Sequence, residues 1–253
     1  RRYITVVSMR RIAVVNYKGG TGKTTTVVNL AHAISLKGFK VLIVDTDPQG
    51  SAGIYFGMSP KKTLYDVLID EVPVAECIEK ARHNIDILCS NERVFPAELK
   101  MTSMKNRELI LKNRLKNIPG YDFVILDCAP SMNLLNQNAL LYANEILLPV
   151  SMEYLSLIGV KQLLKNIKII NRIFNKKVTI TKVIPTFYDK RNKKSKDILG
   201  SLKRVFPSMM STPIRLDNKM SESSSKLKTI FETAPSSHSA HDYNLVSEEI
   251  LNG

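Results

Sequence analysis

The sequence predicts an α/β protein, a three-layer, doubly wound, mostly parallel sheet with helices on both faces. Three observations lead there. Short continuous apolar runs, among them Ile12-Ala13-Val14-Val15, Val41-Leu42-Ile43-Val44 and Phe123-Val124-Ile125-Leu126, suit strands buried on both faces. Segments of helical periodicity separate these runs, so strand and helix alternate along the chain. The runs give way to glycines or aspartates, which puts turn-forming and charged groups at the carboxyl ends of the strands, where open α/β sheets bind ligands. With 253 residues and 44% hydrophobic content the chain has ample material for one core. Residues 9–253 read as a single domain of seven or eight parallel strands, behind an N-terminal extension, residues 1–8, to which no role is assigned.

The first strand leads into Lys18-Gly19-Gly20-Thr21-Gly22-Lys23-Thr24-Thr25, which opens a helical pattern over residues 27–36. A strand that turns through glycines into a helix start leaves backbone N–H groups converging on one spot, with the positive end of the helix dipole behind them. Such a cradle binds phosphate. Lys23 is placed to reach the β and γ phosphates of a nucleoside triphosphate, and the Thr24 hydroxyl to coordinate the magnesium that accompanies them. Tyr17 stands where the standard pattern has a glycine, and a second lysine, Lys18, opens the loop. On these residues the chain resembles the ParA/MinD superfamily of deviant Walker A P-loop ATPases. The resemblance implies the P-loop NTPase fold, with ATP and Mg2+ as cofactors. It also implies a nucleotide held by Lys18, Gly19, Gly20, Thr21, Gly22, Lys23, Thr24 and Thr25. Lys18 would cross a homodimer interface to the phosphates of the partner's nucleotide, so that Lys18 and Lys23 both serve catalysis.

Gly38 is a natural helix stop, and the second apolar run ends in Asp45-Thr46-Asp47-Pro48-Gln49-Gly50. Carboxylates two residues apart on an extended chain point to opposite sides and are suited to different tasks. One suits a magnesium hydration shell, the other the attacking water. The Asp-x-Asp-Pro-Gln stretch is similar to the ParA branch, which implies Asp45 in the magnesium shell and Asp47 as the catalytic residue that orients or deprotonates water.

Short helices are expected over residues 63–69 and 74–81, a strand over 85–88, and one longer amphipathic helix over 96–115. The run through Phe123-Val124-Ile125-Leu126 ends in Asp127-Cys128-Ala129-Pro130. In this order behind the glycine loop it resembles a Walker B strand, with Asp127 holding a magnesium-bound water. A strand over 145–150 and a long helix over 155–174 follow. Lys161, Lys165, Lys168 and Arg172 share one face of that helix, which suits solvent and a polyanion equally. A further strand is expected over 178–184, then the basic run from Lys190 through Lys196 and a helix over 197–206 carrying Lys203 and Arg204. The stretch Thr212-Pro213-Ile214-Arg215-Leu216-Asp217-Asn218-Lys219-Met220-Ser221-Glu222 resembles the ParA segment that borders the adenine and contributes to DNA binding. By that resemblance the backbone near Pro213 packs on the base, and Arg215, with Lys219, Lys203, Arg204 and Lys196, faces DNA. Ser223-Ser224-Ser225 departs from the family, which has Ala and often Pro there. A terminal helix is expected over 240–251.

The net charge of +14 is concentrated. Residues 161–228 carry eighteen Lys and Arg against four Asp and Glu, leaving nineteen of each sign elsewhere. So one-sided a block suits nucleic acid first, with acidic lipid or an acidic protein as alternatives. Cys77, Cys89 and Cys128 form no C-x-x-C pair or metal cluster, which fits a reducing compartment, and Cys128 reads as a small buried apolar residue. No apolar run reaches bilayer-spanning length, and the start lacks the long apolar core of a secretion signal. A cytoplasmic, nucleoid-associated protein without stable membrane association is expected.

The first functional reading is an ATPase of DNA segregation. ATP closes a homodimer that binds duplex DNA without sequence preference, and a ParB-like, centromere-binding partner stimulates hydrolysis. The second is a relative that positions another cargo on the nucleoid or membrane. An iron–sulfur ATPase of similar fold is disfavoured, because Cys128 is embedded at a strand end.

Overall fold

The computed structural model describes residues 8–118 and 120–253; residues 1–7 of the expected extension lie outside them. Among the described residues seven strands form one sheet: β1 (Arg10–Val14), β2 (Val41–Asp45), β3 (Ile78–Arg82), β4 (Ile85–Leu88), β5 (Phe123–Asp127), β6 (Glu145–Ser151) and β7 (Thr179–Thr186). Their order is β3-β4-β2-β5-β1-β6-β7, and every neighbouring pair is parallel except β3 and β4. The chain runs outward from β1 to one side and then returns to add β6 and β7 on the other. The carboxyl ends of β1, β2 and β5 therefore lie together at the switch point.

Alternation along each strand divides the core into two layers. Ala13, Leu42, Val44, Val124 and Leu126 face one side. There they meet α3 (Leu64–Leu68), α4 (Val94–Met101), α5 (Ile110–Arg114), α6 (Leu134–Tyr142), α7 (Ser156–Ile173) and α8 (Lys193–Val205). Ile12, Val14, Ile43 and Ile125 face the other side, against α1 (Lys23–Ser35), α2 (Ser51–Tyr55) and α11 (His238–Leu251). The short helices α9 (Asn218–Ser225) and α10 (Ile230–Thr233) complete that layer.

Two expected helices are corrected. Residues 74–81 hold a single 3-10 turn, Val74–Glu76, followed by β3, which pairs back on β4 through His83 and Asn84. Asn84 takes the left-handed conformation (φ 56°), which Asn tolerates better than most residues. The helix expected over 96–115 breaks after Met101. The hydroxyls of Thr102 and Ser103 donate to the Leu99 and Lys100 carbonyls, and Asn106 is left-handed (φ 51°) before the chain restarts as a 3-10 turn and α5. The remaining expected helices shift by up to four residues at their starts and by at most one at their ends. Asn192 caps α8 by accepting from the Lys194 N–H, and Ser237 caps α11 by accepting from the Ala240 N–H.

The edge at β7 is covered by the chain itself. Residues 209–216 run beside it: Val183 donates to the Met209 carbonyl, Ile214 to Pro185, Tyr188 to Ile214 and Leu216 to Tyr188. This pairing brings the segment after Pro213 to the same end of the sheet as the glycine loop.

Candidate functional site

The glycine loop is held at three points. Asn16, fully buried at the end of the first run, donates through Nδ2 to the Pro149 carbonyl and accepts the Lys18 N–H on Oδ1. Thr186, the last residue of β7, donates its hydroxyl to the Thr21 carbonyl at 2.9 Å. The third point is Gly159, in the first turn of α7, where a Cβ would lie 2.5 Å from Asn16 Oδ1 and 3.3 Å from the Lys18 nitrogen. Gly22 (φ 81°) leads into α1 in the left-handed conformation, and the first helical bond runs from the Thr26 N–H to its carbonyl. Lys23 is buried, with Nζ donating back to the Lys18 carbonyl at 3.3 Å. Burial lowers its pKa, and the Asp127 charge pulls it back up in part.

Register makes the carboxylate pair. Asp127 on β5 lies opposite Val14 on β1 and Asp45 on β2. Both aspartates are fully buried. Asp45 is satisfied locally: Oδ1 accepts from the Asp47 N–H and Oδ2 from the Ala52 N–H, in the first turn of α2. Burial, and then the neighbouring Asp127 charge, raises its pKa. Among the described residues neither oxygen of Asp127 has a hydrogen-bond partner of normal geometry, although the Thr24 hydroxyl lies close enough to act on it. Burial pushes it up to about 7, and the nearby Thr24 hydroxyl and Lys23 ammonium offset this only in part. A buried carboxylate with four free lone pairs beside a hydroxyl and an ammonium is unfinished without a further cation or donor. Asp47 is half-buried and accepts the Gln49 N–H. Gly50 (φ 61°) closes that turn where a Cβ would lie 2.6 Å from the Ser90 carbonyl oxygen.

A pocket of about 140 Å³ adjoins the loop, with Gly22, Thr25, Phe187, Ile214, Asp217 and Tyr243 in its wall. Pro213 stands just before the stretch that lines it, which starts at Ile214. Phe187 holds a left-handed conformation (φ 55°), uncommon for so bulky a residue. It separates this pocket from a second cleft bordered by Lys18, Gly20, Glu153, Asp189 and Lys194.

The expected DNA-facing residues are scattered. Lys196, Lys203 and Arg204 are exposed on α8, and Lys219 is exposed on α9 near Glu222. Lys161, Lys165, Lys168 and Arg172 line the exposed face of α7, with no ion-pair partner among the described residues. Arg215 is differently employed: its guanidinium forks onto Asp242 of α11 at 2.6–3.1 Å, and the same carboxylate accepts the Arg215 N–H. The sequence reading missed Asn16, Gly159, Thr186 and Phe187. Thr186 and Phe187 follow the last expected strand, residues 178–184, after Pro185, a position that by analogy with Asp45 and Asp127 marks the ligand edge. Cys77, Cys89 and Cys128 are free and buried.

A family model described as an AAA domain matches residues 9–180. The chain is 34% identical over 249 residues to the sporulation initiation inhibitor protein Soj of Bacillus subtilis, covering 96% of this chain and 98% of Soj. It is 34% identical over 205 residues to the chromosome partitioning protein ParA of Caulobacter vibrioides, covering 78% and 77%. The chain belongs to the ParA family. Among solved structures, cobyrinic acid a,c-diamide synthase from Mycobacterium smegmatis with bound ATP analog and magnesium superposes with a TM-score of 0.84 at 29% identity, covering 97% of this chain and 95% of that one. ParA-family membership fits the glycine loop and the Asp45, Asp47 and Asp127 trio. Among the described residues, no helix is long and apolar enough to cross a membrane.

Proposed function

We propose that the chain is a partition ATPase whose ATP-bound homodimer binds duplex DNA without sequence preference and releases it on hydrolysis. The observation that supports this most is Asp127, buried and unpartnered beside Lys23 and Thr24 at the end of the strand that adjoins the loop. Its free carboxylate fits a hydrated magnesium ion, with the Thr24 hydroxyl as direct ligand and Asp45 and Asp127 as acceptors for bound water. When bound, magnesium neutralises charge on the β and γ phosphates. The N–H groups of Gly19 to Thr25 cradle those phosphates, and Lys23 leaves the Lys18 carbonyl to pair with them. Asp47 orients the attacking water. That water forms a bond to the γ phosphorus as the bond to the bridging oxygen breaks, and its proton passes to Asp47 or the released phosphate.

Lys18 lies at the open rim of the site, and Tyr154, Leu155 and Ile158 beside the loop-contacting turn of α7 are exposed at 59%, 64% and 52%. This uncovered apolar rim suits a second copy of the chain, which brings its own Lys18 to the partner's phosphates. Lys196, Lys203 and Arg204 on α8 and Lys219 then serve as phosphate-backbone contacts, which give affinity and no base preference. Cytoplasmic, nucleoid-bound operation with a ParB-like activator completes the reading.

The test is binding to a random-sequence duplex at fixed salt with ATP, with ADP and without nucleotide, alongside Lys18→Ala, with phosphate release measured in parallel. Tight binding with ATP only, lost in the variant, supports the reading. Binding that ignores nucleotide, or a variant that still dimerises with ATP, refutes it.

A further inference from the structure

The end of the sheet away from the glycine loop carries a knot of positive charge that the nucleotide chemistry does not use. Arg11, the second residue of β1, shares a strand face with Ala13 and so belongs to the layer of α5 and α6. Its guanidinium carbon lies 5.4 Å from the ring centre of Tyr142, the last residue of α6. Asn144 ties this corner together: its N–H donates to the Arg11 carbonyl, and its Oδ1 accepts from Lys176 Nζ at 2.8 Å. Burial lowers the Lys176 pKa, and the charges of Arg11 and of Lys112 on α5 lower it further, so the three cations are neighbours. Among the described residues none of the three has an ion-pair partner. Glu145, next in sequence to Asn144, is taken by Arg10 at 2.6 Å on the opposite face of the sheet. Residues 1–7 contain no Asp or Glu.

Two donors in this corner are buried without an acceptor among the described residues, Arg11 Nε and the Tyr142 hydroxyl. Arg10 shows the ordinary solution, with Nε and Nη2 both bonded to Glu145. Stacking on the Tyr142 ring fixes the Arg11 guanidinium but satisfies none of its N–H groups. Burial pushes the Tyr142 phenol up to about 12, the Arg11 charge opposing only in part, so the hydroxyl stays a neutral donor. The carboxyl ends of α5 and α6 offset at most roughly half a charge each. A trapped water would satisfy the donors and cancel no charge. Clustered cations with unpaired donors and no acid are completed by an anion that has several acceptor oxygens.

We propose that Arg11, Lys112, Lys176 and the Tyr142 hydroxyl form a binding site for a phosphate-class oxyanion, at the opposite end of the sheet from the nucleotide. Arg11 Nε–H and the Tyr142 O–H donate to two of its oxygens, and the lysine ammonium groups pair with the others. A phosphate dianion suits the corner better than a carboxylate, because it brings two charges to meet three and offers more acceptors. Arg11 and Lys176 are half-buried and Lys112 is exposed, so long side chains at the surface part to admit the ion. The site stands independently of the nucleotide reading.

The experiment follows thermal unfolding of the nucleotide-free wild type, Arg11→Met, Tyr142→Phe and Lys23→Met at pH 8. Chloride, acetate, inorganic phosphate and glycerol 3-phosphate are compared at one ionic strength, and affinity is taken from the dependence on anion concentration. Phosphate is expected to stabilise wild type, and to stabilise Lys23→Met as well, since that change alters the glycine loop and leaves the corner intact. Arg11→Met lowers phosphate affinity by more than about tenfold, because charge-assisted bonds are lost, and Tyr142→Phe lowers it by roughly two- to tenfold. In chloride Tyr142→Phe melts no lower than wild type, because the phenol has no bond to lose; a drop there assigns the hydroxyl a structural partner and overturns its role. Glycerol 3-phosphate matching phosphate extends the site to phosphate monoesters, and a response to phosphate alone assigns it to the free ion. Equal stabilisation by acetate overturns the proposal, since screening would then suffice, and so does a wild type indifferent to phosphate. A phosphate response lost in Lys23→Met but kept in Arg11→Met places the ion on the glycine loop and also overturns it.

Discussion

Gly159 offers a stringent check on how the phosphate loop is held. Replacing a helical glycine with alanine ordinarily stabilises a protein by up to about 1 kcal/mol. Here the added Cβ would sit 2.5 Å from Asn16 Oδ1 and 3.3 Å from the Lys18 nitrogen. Asn16 cannot swing aside freely, since it is fully buried and bonded at both ends of its amide, to Pro149 at 2.8 Å and to Lys18 at 3.1 Å. Overpacking costs about 1–3 kcal/mol, and loss of the Lys18 bond adds about 0.5–1.5 kcal/mol. After the helix gain is subtracted, Gly159→Ala is destabilising by about 1–3 kcal/mol. Gly200, in the middle of α8 where an added methyl group would meet nothing within 4 Å, is the internal control, and Gly200→Ala is expected to stabilise. Urea unfolding of the two variants, with and without ATP, reads both effects; Gly159→Ala also loses part of the stabilisation that ATP confers. A Gly159→Ala variant as stable as Gly200→Ala, with full ATP stabilisation, would refute the contact between α7 and the loop.

Asp127→Asn removes a buried charge, so the nucleotide-free protein gains roughly 2–4 kcal/mol at pH 8 while its magnesium-dependent ATP affinity falls. Denaturation and titration calorimetry check the two opposite changes. Arg215→Ala leaves Asp242 buried without its guanidinium and destabilises by about 1–3 kcal/mol, after allowance for the partial exposure of Arg215, so melting must accompany any DNA-binding assay of that variant. His32 is held neutral by burial, with Glu232 partly opposing and Arg82 reinforcing the lowered pKa. Below the ordinary histidine pKa near ~6.5 the unfolded chain binds the extra proton, so this contribution to stability is lost as pH falls; His32→Gln should flatten the difference between pH 7 and pH 5. If α8 contacts DNA backbone, each of Lys196→Ala, Lys203→Ala and Arg204→Ala should reduce the slope of log affinity against log salt by about 1.

The parts legible in sequence were those where burial on both sides forces a continuous apolar run. Strands β1, β2, β5 and β6 are of this kind, and their terminal groups gave the loop and the aspartates. Strand β3 escaped because it is an antiparallel edge, Ile-Glu-Lys-Ala-Arg, whose mixed pattern carries little apolar signal and also suits a helix. The break after Met101 was hidden because Thr and Ser near a helix end compete for carbonyls without altering the apolar period. The supports of the loop were hidden for another reason. Asn16, Gly159 and Thr186 make contacts across long sequence separations, and nothing in the local pattern distinguishes Gly159 from Gly200, whose surroundings are open.

The pairing of α1 with α11 also sets a timetable for synthesis. The Thr26 hydroxyl of α1 meets the Tyr243 hydroxyl of α11 across 217 positions of sequence. At translation rates of ~5–20 residues per second, α1 waits about 10–40 s on the ribosome before that covering helix exists. During this interval an apolar flank of the helix that follows the phosphate loop is open to chaperones and to neighbouring nascent chains. The backing that α11 gives to the helix after the phosphate loop is therefore completed only once α11 has been made.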